Sequence, residues 1–193
     1  MNSYKKLIED RIDENILVTK NSKDLIEKIE EITKLIIKAM KEGRKLLIFG
    51  NGGSASDAQH FAGELVNTFK IKNRRPLPAI SLTTDTSVIT SISNDYTFDY
   101  IFSKQIEAIG KRGDIAFAIT TSGNSTNVIK GIVSAKKIGL ITVALTGNNG
   151  GKIVDVAGYS IIIPSKDTAR IQEVHTMLIH IVCEIMESEL CES

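Results

Sequence analysis

Residues 46–56 read LLIFGNGGSAS. The apolar run 46–49 gives way to a turn of glycine, asparagine and serine, and a helical pattern follows over about 56–69. An apolar run that ends in turn residues and leads into a helical period predicts a buried strand followed by a helix. This segment indicates the first strand–turn–helix unit of an α/β fold.

The same order recurs along the chain. Further strands are predicted at 77–82, 114–119, 140–145 and 159–163. The helices after them are predicted near 86–92, from about 126 to 138, in a short segment after 151, and over 168–189. Strands that are apolar on both faces and alternate with helices are typical of a parallel sheet covered on both sides. The prediction is a three-layer α/β/α sandwich with a parallel five-stranded sheet, of the flavodoxin-like kind.

Two helices are predicted before the first strand. One apolar stripe consists of Leu7, Ile8, Ile12 and Ile16, and a second of Leu25, Ile26, Ile29, Ile32, Ile36 and Met40. We therefore expect one domain over 1–193, with N-terminal helices in 1–43 and an α/β core in 44–193. The sheet already has helices for both faces, so part of the stripe area is left for other subunits.

Composition excludes several classes of partner. Lys and Arg number 24 against 23 Asp and Glu, and a formal net charge of +1 argues against binding to nucleic acid or an anionic membrane. Cys183 and Cys191 form neither a disulfide framework nor a zinc-finger spacing. The first 15 residues carry charges throughout and have no apolar core, so we expect no signal peptide and a cytoplasmic enzyme.

Ligands of such a sheet bind at the turns that follow the strands. The turn 50–54 lacks the full G-x-G-x-x-G spacing, and the chain contains no G-x-x-x-x-G-K-[ST], so neither a dinucleotide nor a nucleoside triphosphate is expected. For these glycines, a tight turn that needs positive φ is an equally good explanation.

The turn 120–125 carries four hydroxyl side chains, those of Thr120, Thr121, Ser122 and Ser125. They stand at a predicted helix N-terminus, where free N–H groups and the helix dipole attract an anion. Helix capping is the alternative, but one cap residue would suffice for that. The number of hydroxyls favours a phosphate held by neutral donors.

All three histidines lie on two predicted helices. His60 and Glu64 are spaced i, i+4 and share a face, while Gln172 and His180 are two turns apart on the last helix, with His175 between them. A single histidine on an apolar helix is more often a core residue than a catalyst. The residues alone indicate a phosphosugar-type ligand in an α/β domain and leave open whether it is an enzyme.

Five segments carry a resemblance to a known family: FGNGGSA at 49–55, AQHFAGEL at 58–65, SNDY at 93–96, TTSGNS at 120–125 and ARIQEVH at 169–175. Together they resemble the sugar isomerase (SIS) superfamily and, within it, the phosphoheptose isomerases, over essentially the whole chain. The resemblance implies the SIS fold. It also implies an aldose–ketose isomerase that converts sedoheptulose 7-phosphate to D-glycero-D-manno-heptose 7-phosphate for bacterial surface glycans.

Two alternatives belong to other classes. A non-catalytic relative that binds the replication initiator is similar in the glycine turn, but it lacks counterparts of Glu64 and His180 and tends to carry arginine at the position of Ser122. A phosphosugar sensor usually has an additional DNA-binding segment, and none is visible here. The pair Glu64 and His180 therefore favours the enzyme.

The resemblance also implies roles for individual residues. Glu64 is the base that removes the proton next to the carbonyl, and His180 is its acid/base partner. The phosphate is held by Thr120, Thr121, Ser122 and Ser125. The sugar is contacted by Asn51, Gly52, Gly53, Glu64, Asn94, Asp95 and Gln172. One zinc ion per subunit is bound by His60, Glu64, Gln172 and His180.

The family resemblance further implies a homotetramer with active sites at subunit boundaries. Two positions depart from the family pattern: many relatives carry arginine near Thr68 and an acidic residue at Ala169. We expect a weaker phosphate contact unless Lys70 or a residue from another subunit substitutes.

Overall fold

The computed structural model describes residues 4–191 as seven α-helices and five strands, joined in part by short 3₁₀ turns. The helices are α1 Tyr4–Asn21, α2 Ile26–Lys41, α3 Gly53–Val66, α4 Thr86–Asp95, α5 Ile101–Ile109, α6 Thr126–Lys137 and α7 Thr168–Cys191. The strands are β1 Leu46–Gly50, β2 Ala79–Ser81, β3 Ile115–Thr120, β4 Ile141–Gly147 and β5 Tyr159–Ile163. Within these residues no helix has the length and apolar character that crossing a bilayer requires.

The five strands form one parallel sheet in the order β2-β1-β3-β4-β5. The predicted three-layer fold and the parallel five-stranded sheet are confirmed. The chain leaves β1 toward β2 on one side and resumes at β3 on the other, so the direction of winding reverses between β1 and β3. Doubly wound sheets bind ligands in the crevice at such a reversal. Here that crevice lies beside the turns after Gly50 and Thr120.

Alternate residues of β1 supply two separate cores. Leu46 and Ile48 join the cluster that α2, α3 and α7 cover, whereas Leu47 and Phe49 join the cluster that α5 and α6 cover. Since helices cover both faces of the strand, every residue of β1 is buried. This burial explains why the strand reads as a continuous apolar run.

The structure differs from the sequence prediction in several places. Helix α5 is missing from that prediction, since nine residues offer only a short stretch of period 3.6. Strand β2 starts later than the predicted residue 77 because Pro78, which has no N–H to donate, stands directly before it, and it ends at Ser81. Helix α3 begins at Gly53 and ends at Val66, three residues earlier at both ends than predicted.

The two N-terminal stripes have different fates. Most of the stripe of α2 is buried, with Ile32 and Ile36 almost inaccessible. The stripe of α1 remains open: Leu7, Ile8, Ile12 and Ile16 are each more than half exposed, and Val18 is the one buried residue of that helix.

Candidate active site

Helices α3 and α7 run side by side in the same direction and carry all four predicted metal ligands. The residue numbers of the contacting pairs increase along both helices. Gly53 lies against Gln172, Asp57 accepts a hydrogen bond from Thr176, and the imidazole of His60 contacts that of His180. Parallel alignment therefore brings residues more than a hundred positions apart into one row.

The third of these pairs, His60 and His180, forms a cluster with Glu64. The Nε2 atoms of the two imidazoles are 2.7 Å apart, and the His60 Nε2 lies 3.6 Å from a Glu64 carboxylate oxygen. One ligand atom from each residue falls within 4.8 Å of the others. The Phe69 ring stacks on His180 with centroids 5.5 Å apart. Two nitrogens and a carboxylate thus face one point, an arrangement suited to acid/base chemistry or to a metal ion.

The glycine turn requires its glycines for two different reasons. Gly52 adopts φ 58° and ψ −123°, a conformation that residues with a side chain rarely adopt. Gly53 has ordinary dihedrals, but a Cβ there would stand 2.3 Å from Nε2 of Gln172. The Gln172 amide therefore packs on the turn, about 12 Å along α7 from His180 at 1.5 Å per residue. Within one chain it lies apart from the His60–Glu64–His180 cluster.

Asn51 joins the glycine turn to helix α6. Its amide donates to Asn127 Oδ1 at 2.8 Å and accepts from Asn127 Nδ2 at 2.9 Å. Asn127 is buried near the start of α6. The reciprocal pair holds the turn after β1 beside the turn after β3.

Several polar groups of the turn 120–125 are already ordered by the turn itself. The hydroxyl of Thr120 accepts from Gly123 N–H at 3.2 Å, and that of Ser122 accepts from Asn124 N–H at 3.2 Å. Ser125 occupies the N-cap of α6 without a side-chain cap hydrogen bond. Its hydroxyl, unlike that of an ordinary cap residue, is not engaged by the helix.

Asn94 and Asp95 end helix α4 at the surface. Asn94 donates an amide hydrogen bond to Asp95 at 3.0 Å, and among residues 4–191 neither is hydrogen-bonded to the His60–Glu64–His180 cluster. Of the departures from the family pattern, Ala169 is exposed in the first turn of α7 and Thr68 is half-buried. Lys70, the suggested substitute cation, pairs with Glu184 at 2.6 Å.

Sequence reasoning missed several residues around the site: Asp57, Phe69, Arg74, Asn127 and Thr176. Asp57 is half-buried, and burial raises the pKa of its carboxyl against a hydrogen bond from Thr176 and the charge of His60. Its i, i+3 spacing to His60 was the one available signal. His175 is a core residue whose Nε2 lies 3.2 Å from the Thr146 carbonyl.

Comparison with known proteins identifies the family. Residues 14–147 match the SIS domain family. Over 166 residues the chain is 54% identical to the phosphoheptose isomerase of Aquifex aeolicus, covering 86% of each protein. The chain belongs to the phosphoheptose isomerases.

Solved structures of this family agree with that assignment. The phosphoheptose isomerase of Neisseria gonorrhoeae is 39% identical with a TM-score of 0.90, over 96% of this chain and all of that one. The phosphoheptose isomerase of Francisella tularensis is 34% identical with a TM-score of 0.93, over 96% of this chain and 99% of that one. Membership in the phosphoheptose isomerases confirms the resemblance seen in the sequence. It supports the enzyme over the non-catalytic and sensor alternatives.

Proposed function

We propose that this protein is a cytoplasmic aldose–ketose isomerase, built as one SIS domain over 1–193. It converts sedoheptulose 7-phosphate to D-glycero-D-manno-heptose 7-phosphate through an enediol, an early step in heptose synthesis for bacterial surface glycans. The relatives named as phosphoheptose isomerases support the substrate class.

The observation that carries the proposal is the convergence of Glu64 and His180. Such an isomerisation removes a proton from one carbon and delivers one to the neighbouring carbon, so it needs a base and a partner acid/base. We assign the first role to Glu64 and the second to His180. His60, whose Nε2 touches that of His180, orients the second imidazole. A positioned acid/base contributes roughly 10²-fold to 10⁴-fold to the rate.

The phosphate is assigned to the turn 120–125 and the N-terminus of α6. Helix N-termini offer free N–H groups and a favourable dipole to an anion. The free cap hydroxyl of Ser125 supports this assignment, together with the hydroxyls of Thr120, Thr121 and Ser122. We further assign the sugar contacts to Asn51, Gly52, Gly53, Glu64, Asn94, Asp95 and Gln172.

Distances along α3 support an active site shared between subunits. Glu64 follows Gly53 by eleven residues, about 16 Å of helix. The Asn51–Asn127 pair keeps the phosphate turn at the Gly53 end. An extended seven-carbon phosphate reaches only about 9 Å from carbonyl carbon to phosphorus, with bonds of about 1.5 Å. We infer that the base and the phosphate turn acting on one substrate belong to different copies of the chain.

The open stripe of α1 supports the homotetramer. Leu7, Ile8, Ile12 and Ile16 are between 52% and 58% exposed, and an apolar surface of this kind is usually covered by a partner. A second copy of the chain that covers the α1 stripe would bring subunits together, and active sites would then form at the boundaries between them.

A zinc ion fits the donor set of the His60–Glu64–His180 cluster. Two imidazole nitrogens and a carboxylate are common zinc ligands. The Nε2 atoms of His60 and His180 already lie 2.7 Å apart, so both imidazoles would be available to hold the ion. Gln172 is the proposed fourth ligand, and its distance along α7 means that another subunit would supply it. When bound, zinc would polarise the substrate carbonyl as a Lewis acid.

Incubating the purified protein with sedoheptulose 7-phosphate tests the proposal. We expect an aldoheptose 7-phosphate to form, with six-carbon ketose phosphates turned over more slowly in parallel assays. Absence of product from the seven-carbon substrate would refute the function, and faster turnover of a six-carbon substrate would refute the substrate assignment.

A further inference from the structure

The aromatic residue beside His180 comes from an irregular segment. Phe69 lies between α3 and β2, and its ring stacks on the His180 imidazole at 5.5 Å and an interplanar angle of 29°. The ring is half-buried. A stacked ring restricts rotation of the imidazole about its side-chain bonds, provided that the stacking ring is itself fixed.

A buried carboxylate fixes the backbone on which Phe69 stands. Glu187, seven residues after His180 on α7, accepts hydrogen bonds from three successive N–H groups, those of Phe69 at 2.8 Å, Lys70 at 2.7 Å and Ile71 at 3.0 Å. Glu187 is only 1% exposed. The same helix therefore carries the histidine and the anchor of the ring that stacks on it.

Arg74 binds the Glu187 carboxylate and also the backbone of Glu64, the other proposed catalytic residue. Its Nε donates to Glu187 at 2.6 Å, and its Nη atoms donate to the carbonyls of Glu64 at 2.6 Å and Leu65 at 2.7 Å. These carbonyls lie at the end of α3, where helical partners are lacking. Arg74 thus satisfies the backbone of Glu64 while holding the carboxylate that anchors Phe69.

The charge state of the anchor agrees with this role. Burial alone would raise the pKa of Glu187, but the Arg74 hydrogen bond and the three backbone donors lower it to about 2. The carboxylate therefore stays ionised and acts as a permanent acceptor. The cost of removing a buried ion pair from water is offset only where further hydrogen bonds satisfy both partners, as they do for Arg74 and Glu187.

We propose that Phe69, held by the Arg74–Glu187 pair, is a positioning residue that fixes the orientation of the His180 imidazole toward Glu64. The inference rests on the proposed function for its kinetic consequence. The orientation of His180 within the His60–Glu64–His180 cluster does not depend on which reaction the protein catalyses. A merely structural role for the segment 67–76 would affect stability without affecting the catalytic step.

Three variants test the role. Phe69→Leu removes the ring and leaves the Arg74–Glu187 pair intact, Phe69→Tyr keeps the ring, and Glu187→Gln loosens the anchor. Glu184→Gln is the matched control, because Glu184 lies one turn before Glu187 on the surface of α7 and, among residues 4–191, its ion-pair partner is the exposed side chain of Lys70. For Phe69→Leu we expect kcat to fall about 3-fold to 10-fold with KM within about 2-fold. Phe69→Tyr should be close to the wild type, and Glu187→Gln should lose at least as much kcat as Phe69→Leu.

Cobalt(II) gives a readout that does not depend on turnover. Cobalt bound by the cluster absorbs visible light according to its coordination geometry, and we expect the spectrum or the affinity to change in Phe69→Leu and Glu187→Gln but not in Glu184→Gln. An unchanged kcat in Phe69→Leu, a loss confined to KM, or a Phe69→Tyr variant as impaired as Phe69→Leu would overturn the proposal.

The two readouts separate this inference from the function. If the wild type does not isomerise sedoheptulose 7-phosphate, the proposed function fails, and the cobalt spectra still decide the positioning role. An identical spectrum and affinity in Phe69→Leu would then overturn it, and a changed one would support it. A wild type with neither turnover nor cobalt binding would overturn both, since no cluster would remain for Phe69 to orient.

Discussion

Asn51 and Asn127 exchange two amide hydrogen bonds, of 2.8 and 2.9 Å, across the reversal point of the sheet. The pair joins the glycine turn after β1 to the first turn of α6. Because Asn127 is buried, the contact is protected from competing water. The turn 120–125 and the turn that Gln172 packs on are therefore joined at one end of α3 and α7, whereas Glu64 and His180 lie farther along these helices.

Removal of the turn hydroxyls should weaken phosphate binding. Ser122→Ala and Ser125→Ala each delete a hydrogen bond to a charged group, worth roughly 1.5–3 kcal/mol. Affinity for a phosphate ester should fall about 10-fold to 150-fold, with inorganic phosphate weakened in parallel. Calorimetric titration and thermal melting of the same variants provide the measurement. Unchanged affinity with stability lowered by about 1 kcal/mol would instead show that the hydroxyls stabilise the turn and the start of α6 without binding phosphate.

Stability should decline in mild acid because of His175. Burial lowers the pKa of His175 to about 4, against a hydrogen bond to Thr146 that raises it. The unfolded chain takes up this proton below about pH 6.5, while the folded chain does not until about pH 4. As the pH falls from 6.5 to 4, protonation of the unfolded state therefore lowers the free energy of unfolding by up to about 3 kcal/mol. Below pH 4.5, protonation of unfolded Glu187 adds to the loss, since its folded pKa is about 2.

Urea unfolding at several pH values measures this decline. His175→Gln keeps a donor for the Thr146 carbonyl but does not titrate, so its stability should vary less than that of the wild type between pH 6.5 and 4.5. Parallel profiles for the two proteins would show that His175 is not the source.

Mixed oligomers of two variants test whether active sites are shared between subunits. A Glu64→Gln subunit and a Ser122→Ala/Ser125→Ala subunit each lack one part of the site, but a hybrid would contain some boundaries with both parts intact. At low substrate concentration, refolding the two together should give more activity than either variant has alone. Glu64→Gln mixed with His180→Gln should not recover, because those two side chains lie in one cluster of one chain. No recovery in the first mixture would show that each chain builds its own site.

Zinc should copurify with the protein in substoichiometric to stoichiometric amounts. Replacing His60 by Ala removes one imidazole from the cluster and should lower metal content in elemental analysis, while His175→Gln should not. Full activity after chelation, together with no metal in the untreated protein, would remove zinc from the account.

The sheet and the main site helices could be predicted because their signals are local. Leu46–Gly50 reads as a buried strand because both of its faces are covered, and His60 with Glu64 reads as a pair because one helix carries both. The convergence of that pair with His180 depends on the parallel alignment of α3 and α7. No spacing within the sequence reveals that alignment.

Other features depend on partners distant in the chain. Arg74 and Glu187 are separated by 113 positions, and each alone reads as an ordinary surface charge. In the sequence, the helical period continues to Phe69, which predicts that helix α3 ends there. In the structure, the side chain of Arg74 donates to the carbonyls of Glu64 and Leu65, and the helix ends at Val66. The apolar stripe of α1 is visible in the sequence, but its exposure within residues 4–191 depends on how the other helices pack.

The isomerisation, as we propose it, depends on proton transfer by Glu64 and His180. Proton NMR of sedoheptulose 7-phosphate turnover tests it directly, with Glu64→Gln and His180→Gln compared with the surface control Glu184→Gln. We predict that each site variant lowers kcat by at least about 10²-fold with unchanged melting, and that the control retains wild-type turnover. Near-normal turnover in either site variant would show that the substituted residue does not transfer a proton in the reaction.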